Sequence, residues 1–145
     1  MTVEAFAALV ARVTRGIAGR PLDAVLAQDL NLRFPGDGVD VAAIAQACRD
    51  GIAAGWMCSR EAAGIRYGRV LKPGPATDGY SVDVVDMTDV AGPRHRHPNG
   101  EIDLVLPLSP AARVMMAPVE GRPGTTAAEL ASAPRRRSHR PANSR

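Results

Sequence analysis

A change in hydrophobic period near Trp56 constrains the fold of this chain more than any other feature. Before Trp56, apolar residues recur every three or four positions, as they do on the buried face of an α-helix. After it, apolar and polar residues alternate, or β-branched residues cluster, as they do in β-strands. Helices followed by strands predict an α+β fold with antiparallel strands rather than a repeated βαβ unit. We therefore divide the chain into a helical section (1–55), a β region (56–113) and a tail (114–145).

Three amphipathic helices are predicted in the helical section. The first begins at the N-cap Thr2 and stops at Gly19, the second has Pro21 in its first turn, and the third begins at Asp40 and stops at Gly55. Hydroxyl and carboxylate side chains accept hydrogen bonds at helix starts, and glycine adopts the backbone conformation that ends a helix. The apolar residues of these helices are expected to form the core.

Four strands are predicted in the β region, at residues 57–60, 64–71, 80–87 and 101–108. A hairpin turn over residues 61–63 would separate the first two strands. In the last strand the apolar residues at even positions share one face, because side chains alternate along a strand. These strands predict a small antiparallel sheet.

The basic charge of the chain is concentrated in its tail. Residues 1–120 contain 12 Lys and Arg against 14 Asp and Glu, whereas residues 121–145 contain six Arg against one Glu. The tail is rich in Pro, Ala and Arg and shows no strand alternation, with at most a short helical stretch at residues 126–131, so it is predicted to be disordered. The chain has only five aromatic residues, and the body of the protein carries no platform for nucleic acid.

Apolar runs and cysteine usage bear on the cellular compartment. No stretch approaches the roughly 20 apolar residues that a bilayer span requires, so no membrane partner is expected. Cys48 and Cys58 form no CxxC pair, which favours free thiols over a disulfide framework. We predict a cytoplasmic protein.

The segment GPRHRHPNGEIDLVLP, at residues 92–107, concentrates the chemically active side chains. His95 and His97 lie two positions apart, so on an extended backbone their imidazoles project from one face. The Pro-Asn-Gly turn that follows brings the carboxylate of Glu101 back toward them. Two imidazoles and a carboxylate can hold a divalent metal ion with open positions, or act as an acid–base cluster without one. The plainer alternative is a solvated loop.

This H-x-H-x3-E motif resembles the first conserved motif of the cupin superfamily. Three segments taken together, GWMCSREAAGIRYGRVLKPG, YSVDVVDM and AGPRHRHPNGEIDLVLPL, resemble the 4-hydroxylaminobenzoate lyase family over roughly residues 1–113. The resemblance implies N-terminal helices followed by a cupin-like antiparallel β-barrel. It is specific because the three segments agree in order and spacing.

The same resemblance implies a reaction and its residues. The family's carbon–nitrogen lyase reaction converts 4-hydroxylaminobenzoate into 3,4-dihydroxybenzoate (protocatechuate) and ammonium, in nitroaromatic acid degradation. His95, His97 and Glu101 match the family's HxHPxGE motif and are the implied catalytic residues, with a divalent metal ion as the candidate cofactor. The alternative is a cupin-type module that binds a metal or a small molecule without this reaction.

The sequence departs from the family pattern near residue 113. A later strand, a Pro-Gly turn and a further histidine are replaced by a sequence rich in Arg, Pro and Ala, as a truncation or shifted reading frame would give. An incomplete barrel is therefore expected, and an inactive family member is a further alternative. His139 is a weak candidate for the missing histidine. The open apolar edge of such a barrel predicts a homo-oligomer.

A second group of polar residues suits the substrate. Arg66, Tyr67 and Arg69 lie in the segment GIRYGR, and a guanidinium pairs bidentately with a carboxylate. We predict that they bind a small aromatic acid. The alternative is that these arginines are simply exposed residues of a strand.

Overall fold

Three helices precede two small β-sheets in the computed structural model, which describes residues 1–90, 99–109 and 128–130. The predicted α+β class is confirmed. The helices are α1 (Val3–Ile17), α2 (Ala24–Arg33) and α3 (Val39–Ala53). None of the described helices combines the length and the apolar character needed to cross a bilayer.

Both ends of α1 follow the prediction. The hydroxyl oxygen of Thr2 accepts a hydrogen bond from the backbone N–H of Ala5 at 3.2 Å, which satisfies a donor that the first turn would leave unpaired. Gly19 follows the end of the helix with φ of 72°, a conformation that glycine adopts without a steric penalty. Local sequence signals therefore define α1.

The starts of α2 and α3 differ from the prediction. Pro21 lies before α2, because the carboxylate of Asp23 accepts the N–H of Leu26 at 2.8 Å and is the N-cap. Gly38 occupies the N-cap position of α3 without a side-chain hydrogen bond, and Asp40 lies in the first turn. A carboxylate in the first turn still interacts favourably with the positive end of the helix dipole.

The first sheet is antiparallel, and its strands follow chain order. They are β1 (Arg60–Ala62), β2 (Ile65–Leu71) and β3 (Val82–Met87). The turn between β1 and β2 consists of Ala63 and Gly64, with φ of 51° and 77°, rather than residues 61–63 as predicted. Two consecutive left-handed residues match the twist of a two-residue hairpin, so β1 extends to Ala62.

The second sheet pairs two short strands in parallel. They are β4 (Ile102–Leu104) and β5 (Ala128–Leu130). The predicted strand 101–108 is therefore shorter, and it pairs in parallel with β5 instead of joining the predicted antiparallel sheet. β5 also corrects the prediction for residues 126–131, where at most a short helical stretch was expected. Apart from β5, residues 110–145 lie outside the described part of the chain, so the disordered tail stays a prediction.

The core consists of two apolar clusters that share side chains from the segment after Glu101. The first joins the three helices and contains Ile17, Leu26, Leu30, Phe34 and Val41. The second joins α1 and α3 to the first sheet and contains Phe6, Ile44, Ala47, Met57 and Leu71. Leu104 and Leu106 pack against both clusters, as their shared face predicts, whereas Leu108 is exposed. The helical section therefore covers one side of the β region.

Candidate functional site

The turn that precedes Glu101 is held against the helical section. Gly100 has φ of 85°, which strains any residue with a side chain. A Cβ atom at this position would overlap the side chain of Leu22, which lies in the connection between α1 and α2. Leu22 in turn packs against the first core cluster. The backbone just before Glu101 is thus positioned by a contact from a distant part of the sequence.

Glu101 is half-buried and lies directly before β4. Its two expected partners, His95 and His97, lie outside the described residues, as does His139. The metal site and the catalytic cluster therefore stay predictions. Within residues 1–90 and 99–109, no three His, Cys, Asp or Glu side chains come together to hold a metal ion.

Arg66 lies on the side of the first sheet that faces the helices. We call this side the helix-facing face, and on it Val82 and Val84 pack against the second core cluster. Arg66 pairs across the strands with Asp86, whose Oδ2 lies 3.6 Å from Nη1 of the arginine. The thiol of Cys58 donates to the carbonyl oxygen of Val84 at 3.5 Å. Burial, and then the nearby charge of Asp86, raise the pKa of Cys58, so this thiol stays protonated at neutral pH.

Tyr67 and Arg69 lie on the opposite side of the sheet, which we call the outward face. Arg69 donates two hydrogen bonds to Asp83, from Nε to Oδ1 and from Nη2 to Oδ2, each at 3.1 Å. This pairing raises the pKa of Arg69, which stays charged. Tyr67 lies between Arg60 on β1 and Val85 on β3. The outward face consists of Arg60, Ala62, Ile65, Tyr67, Arg69, Asp83, Val85 and Met87, of which Ile65 is buried.

The three predicted substrate residues thus do not form one cluster. Arg66 and Arg69 are three positions apart in a regular part of β2, so their side chains project to opposite faces. One carboxylate cannot bind to both. Arg60 was not predicted as a site residue, because the hairpin turn was expected to begin at Glu61 and the pairing of Arg60 with Tyr67 depends on the position of that turn. A turn placed at Ala63 and Gly64 would have shown that Arg60 lies opposite Tyr67.

Comparisons with known proteins point to one family. A family model described as PnbB, 4-hydroxylaminobenzoate lyase, matches residues 8–144. This match extends past residue 113, where the resemblance to the family was predicted to stop. A curated protein of Nocardioides sp. (strain LMS-CY), named 4-hydroxylaminobenzoate lyase, is 33% identical over 76 residues, covering 49% of this chain and 45% of the relative. The chain therefore spans less than half the length of that relative. No solved structure matches significantly.

Proposed function

Because this chain belongs to the 4-hydroxylaminobenzoate lyase family, we propose that it converts 4-hydroxylaminobenzoate into 3,4-dihydroxybenzoate and ammonium. The family match over residues 8–144 is the observation that carries this proposal. The relative of that name supports it over the aligned half of this chain. The cupin-like barrel, the carbon–nitrogen lyase chemistry and a place in nitroaromatic acid degradation belong to the same proposal.

The proposed reaction balances with water as the only co-substrate. 4-Hydroxylaminobenzoate plus one water contains the atoms of 3,4-dihydroxybenzoate plus ammonia. The N–O and C–N bonds break, and two ring C–O bonds form. Nitrogen is reduced from the hydroxylamine to the ammonia level while the ring is oxidised to the catechol, so the hydroxylamine itself is the oxidant. Neither dioxygen nor an external reductant is required.

Two proton transfers define what the protein has to do. An acid must protonate the leaving hydroxyl of the N–O bond, and a base must take the ring proton from the carbon next to the nitrogen-bearing one, which gains oxygen in its place. Glu101, His95 and His97 are the residues we propose for these tasks. Glu101 suits such a task because it is half-buried and follows a turn that the contact between Gly100 and Leu22 holds in place. A fixed position matters because proton transfer requires hydrogen-bond geometry.

The same three residues are the donor types that bind a divalent metal ion. Two imidazoles and one carboxylate suit zinc, iron or manganese and leave coordination positions open. When bound, such an ion would supply Lewis-acid polarisation of an oxygen atom. His95, His97 and Glu101 would hold it, and the fixed turn before Glu101 is compatible with this role.

The test is turnover by the purified full chain. 4-Hydroxylaminobenzoate is incubated with wild type and with Glu101→Gln, and both ammonium and 3,4-dihydroxybenzoate are quantified. We expect both products to form together, and the substitution to slow their formation by about 10²–10⁴-fold, the usual contribution of a general acid or base. Loss of substrate alone would not count, because hydroxylamines oxidise spontaneously.

Glu4→Gln is the matched control for the same chemical change. Glu4 is an exposed residue in the first turn of α1. A rate for Glu4→Gln equal to wild type, with a loss confined to Glu101→Gln, would support the assignment. Substrate consumption without ammonium, in wild type, would contradict the proposed function.

A further inference from the structure

The outward face presents a row of three exposed side chains across the three strands. Arg60 lies opposite Tyr67, and Tyr67 lies opposite Val85. Directly opposed residues project to one face with Cβ atoms about 4.5–5.5 Å apart. Tyr67 is 38% exposed and Val85 is 53% exposed, while Met87 in the adjacent row is 42% exposed. An aromatic ring and two apolar side chains thus lie beside a cation.

Arg69 supplies a second cation, held in a defined orientation. Asp83 occupies the edge of the guanidinium formed by Nε and Nη2. The other edge, formed by Nη1 and the second N–H of Nη2, has the geometry for another carboxylate. Because Asp83 already restricts the side chain, less conformational entropy is lost when a ligand binds. The ion pair therefore orients Arg69 without using all of its donors.

We propose that the outward face binds a small aromatic carboxylate. The terminal edge of Arg69 holds the carboxylate, Tyr67 and Val85 contact the ring, and Arg60 contributes a second positive charge. Residues two apart on a strand are separated by about 6.5–7 Å, so a ring resting on Tyr67 places its carboxylate within reach of Arg69. This inference rests on the proposed function for the substrate class, and it assigns recognition to Arg60 and Arg69 rather than to Arg66.

Charge and packing favour the outward face over the helix-facing face as the binding surface for an aromatic carboxylate. On the helix-facing face, Val82 and Val84 pack against the second core cluster, whereas Tyr67 and Val85 leave apolar surface exposed on the outward face. Two arginines against one aspartate give the outward face a net positive charge, which attracts an anion. The apolar row gives selectivity for an aromatic anion over inorganic ones.

Binding of an unreactive analogue tests the proposal independently of turnover. 4-Hydroxybenzoate is titrated into the full chain by calorimetry, with 4-hydroxybenzamide as the neutral analogue. We expect the benzoate to bind, and the amide to bind at least about tenfold more weakly, because it lacks the charge-assisted hydrogen bonds. Arg69→Gln should weaken benzoate binding by a similar factor, and Arg69→Lys by less, because it keeps the charge but loses the bidentate edge.

Arg15→Gln is the matched control, since Arg15 is an exposed arginine of α1 whose Nε donates to the carbonyl oxygen of Ala11. Equal benzoate affinity in Arg69→Gln and Arg15→Gln would overturn the proposal, as would no binding by wild type. A dimer that Val85→Asp dissociates, with no benzoate binding in either form, would show instead that this face joins two copies.

Product formation with unchanged KM in Arg69→Gln would rule out this binding site and leave the proposed lyase function intact. Benzoate binding that depends on Arg69, without product from 4-hydroxylaminobenzoate, would support the binding site and contradict the proposed lyase function.

Discussion

The two faces of the first sheet carry the same kind of ion pair in different surroundings. On the helix-facing face, Arg66 meets Asp86 at 3.6 Å beside valines that pack on the core, and 42% of the arginine side chain is exposed. On the outward face, Arg69 holds Asp83 through two hydrogen bonds of 3.1 Å, and 55% of the arginine side chain is exposed. The sequence alone does not show that the two ion pairs lie in different surroundings.

The difference shows that the cover of a face, rather than its residue types, determines its role. The half-buried valines of the helix-facing face pack on the core, so substitutions at Val82 and Val84 act on folding. Apart from the buried Ile65, the outward side chains remain accessible, so substitutions there act mainly on binding. Three sets of variants test how far packing determines the effect of a substitution.

The largest difference is expected between two methionines on opposite sides. Met57 is fully buried in the second core cluster, whereas Met87 is 42% exposed on the outward face. Met57→Ala should lower the free energy of unfolding by about 2–5 kcal/mol, because it removes buried surface and leaves a cavity. Met87→Ala should change it by about 0.5 kcal/mol or less. Urea unfolding measures both, and equal losses would show that the outward face is covered.

A second comparison uses two glycines with the same backbone conformation. Gly100 and Gly79 have φ of 85° and 86°, but a Cβ atom meets Leu22 at Gly100 and nothing within 4 Å at Gly79. Gly79→Ala should lower the free energy of unfolding by about 1 kcal/mol from backbone strain alone. Gly100→Ala should lower it by about 2–3 kcal/mol, because it adds an overlap with a packed side chain. Equal values would mean that Leu22 does not hold the turn before Glu101.

The smallest effect concerns the pH dependence of stability and the thiol of Cys48 on α3. Burial raises the pKa of Cys48 from 9.0 to about 11, with a smaller contribution from Cys58. Its contribution to stability is fully present below pH 9.0 and is lost as the pH rises toward 11. We expect a fall on the order of 1 kcal/mol after allowing for partial exposure.

Cys48→Ala isolates that contribution. The variant should lower stability at neutral pH, through lost packing, but its stability should depend less on pH between 9.0 and 11 than that of wild type. Identical alkaline slopes for the two proteins, measured by urea unfolding at several pH values, would refute the assignment.

Local signals made the helices predictable, and non-local pairing limited the rest. Thr2 and Gly19 mark the two ends of α1 as expected, because a cap depends on a few neighbouring residues. The hairpin turn was misplaced because Ala63 adopts a left-handed conformation that alanine rarely takes. The pairing of β4 with β5 joins segments far apart in the chain, which no local pattern reveals.

The candidate site divides in the same way. The motif around Glu101 is contiguous and could be recognised, whereas the contact of Leu22 with Gly100 depends on tertiary packing. The separation of Arg66 from Arg69 follows from the alternation of side chains and was predictable from spacing alone. The position of Arg60 beside Tyr67 required the correct turn.

The stoichiometry of turnover without dioxygen is the decisive measurement for the proposed lyase reaction. Purified full chain is mixed anaerobically with 4-hydroxylaminobenzoate, and substrate, ammonium and 3,4-dihydroxybenzoate are followed together. The internal redox balance predicts one ammonium and one 3,4-dihydroxybenzoate for each substrate consumed, with no added oxidant or reductant. A requirement for dioxygen, or ammonium release without 3,4-dihydroxybenzoate, would contradict the account.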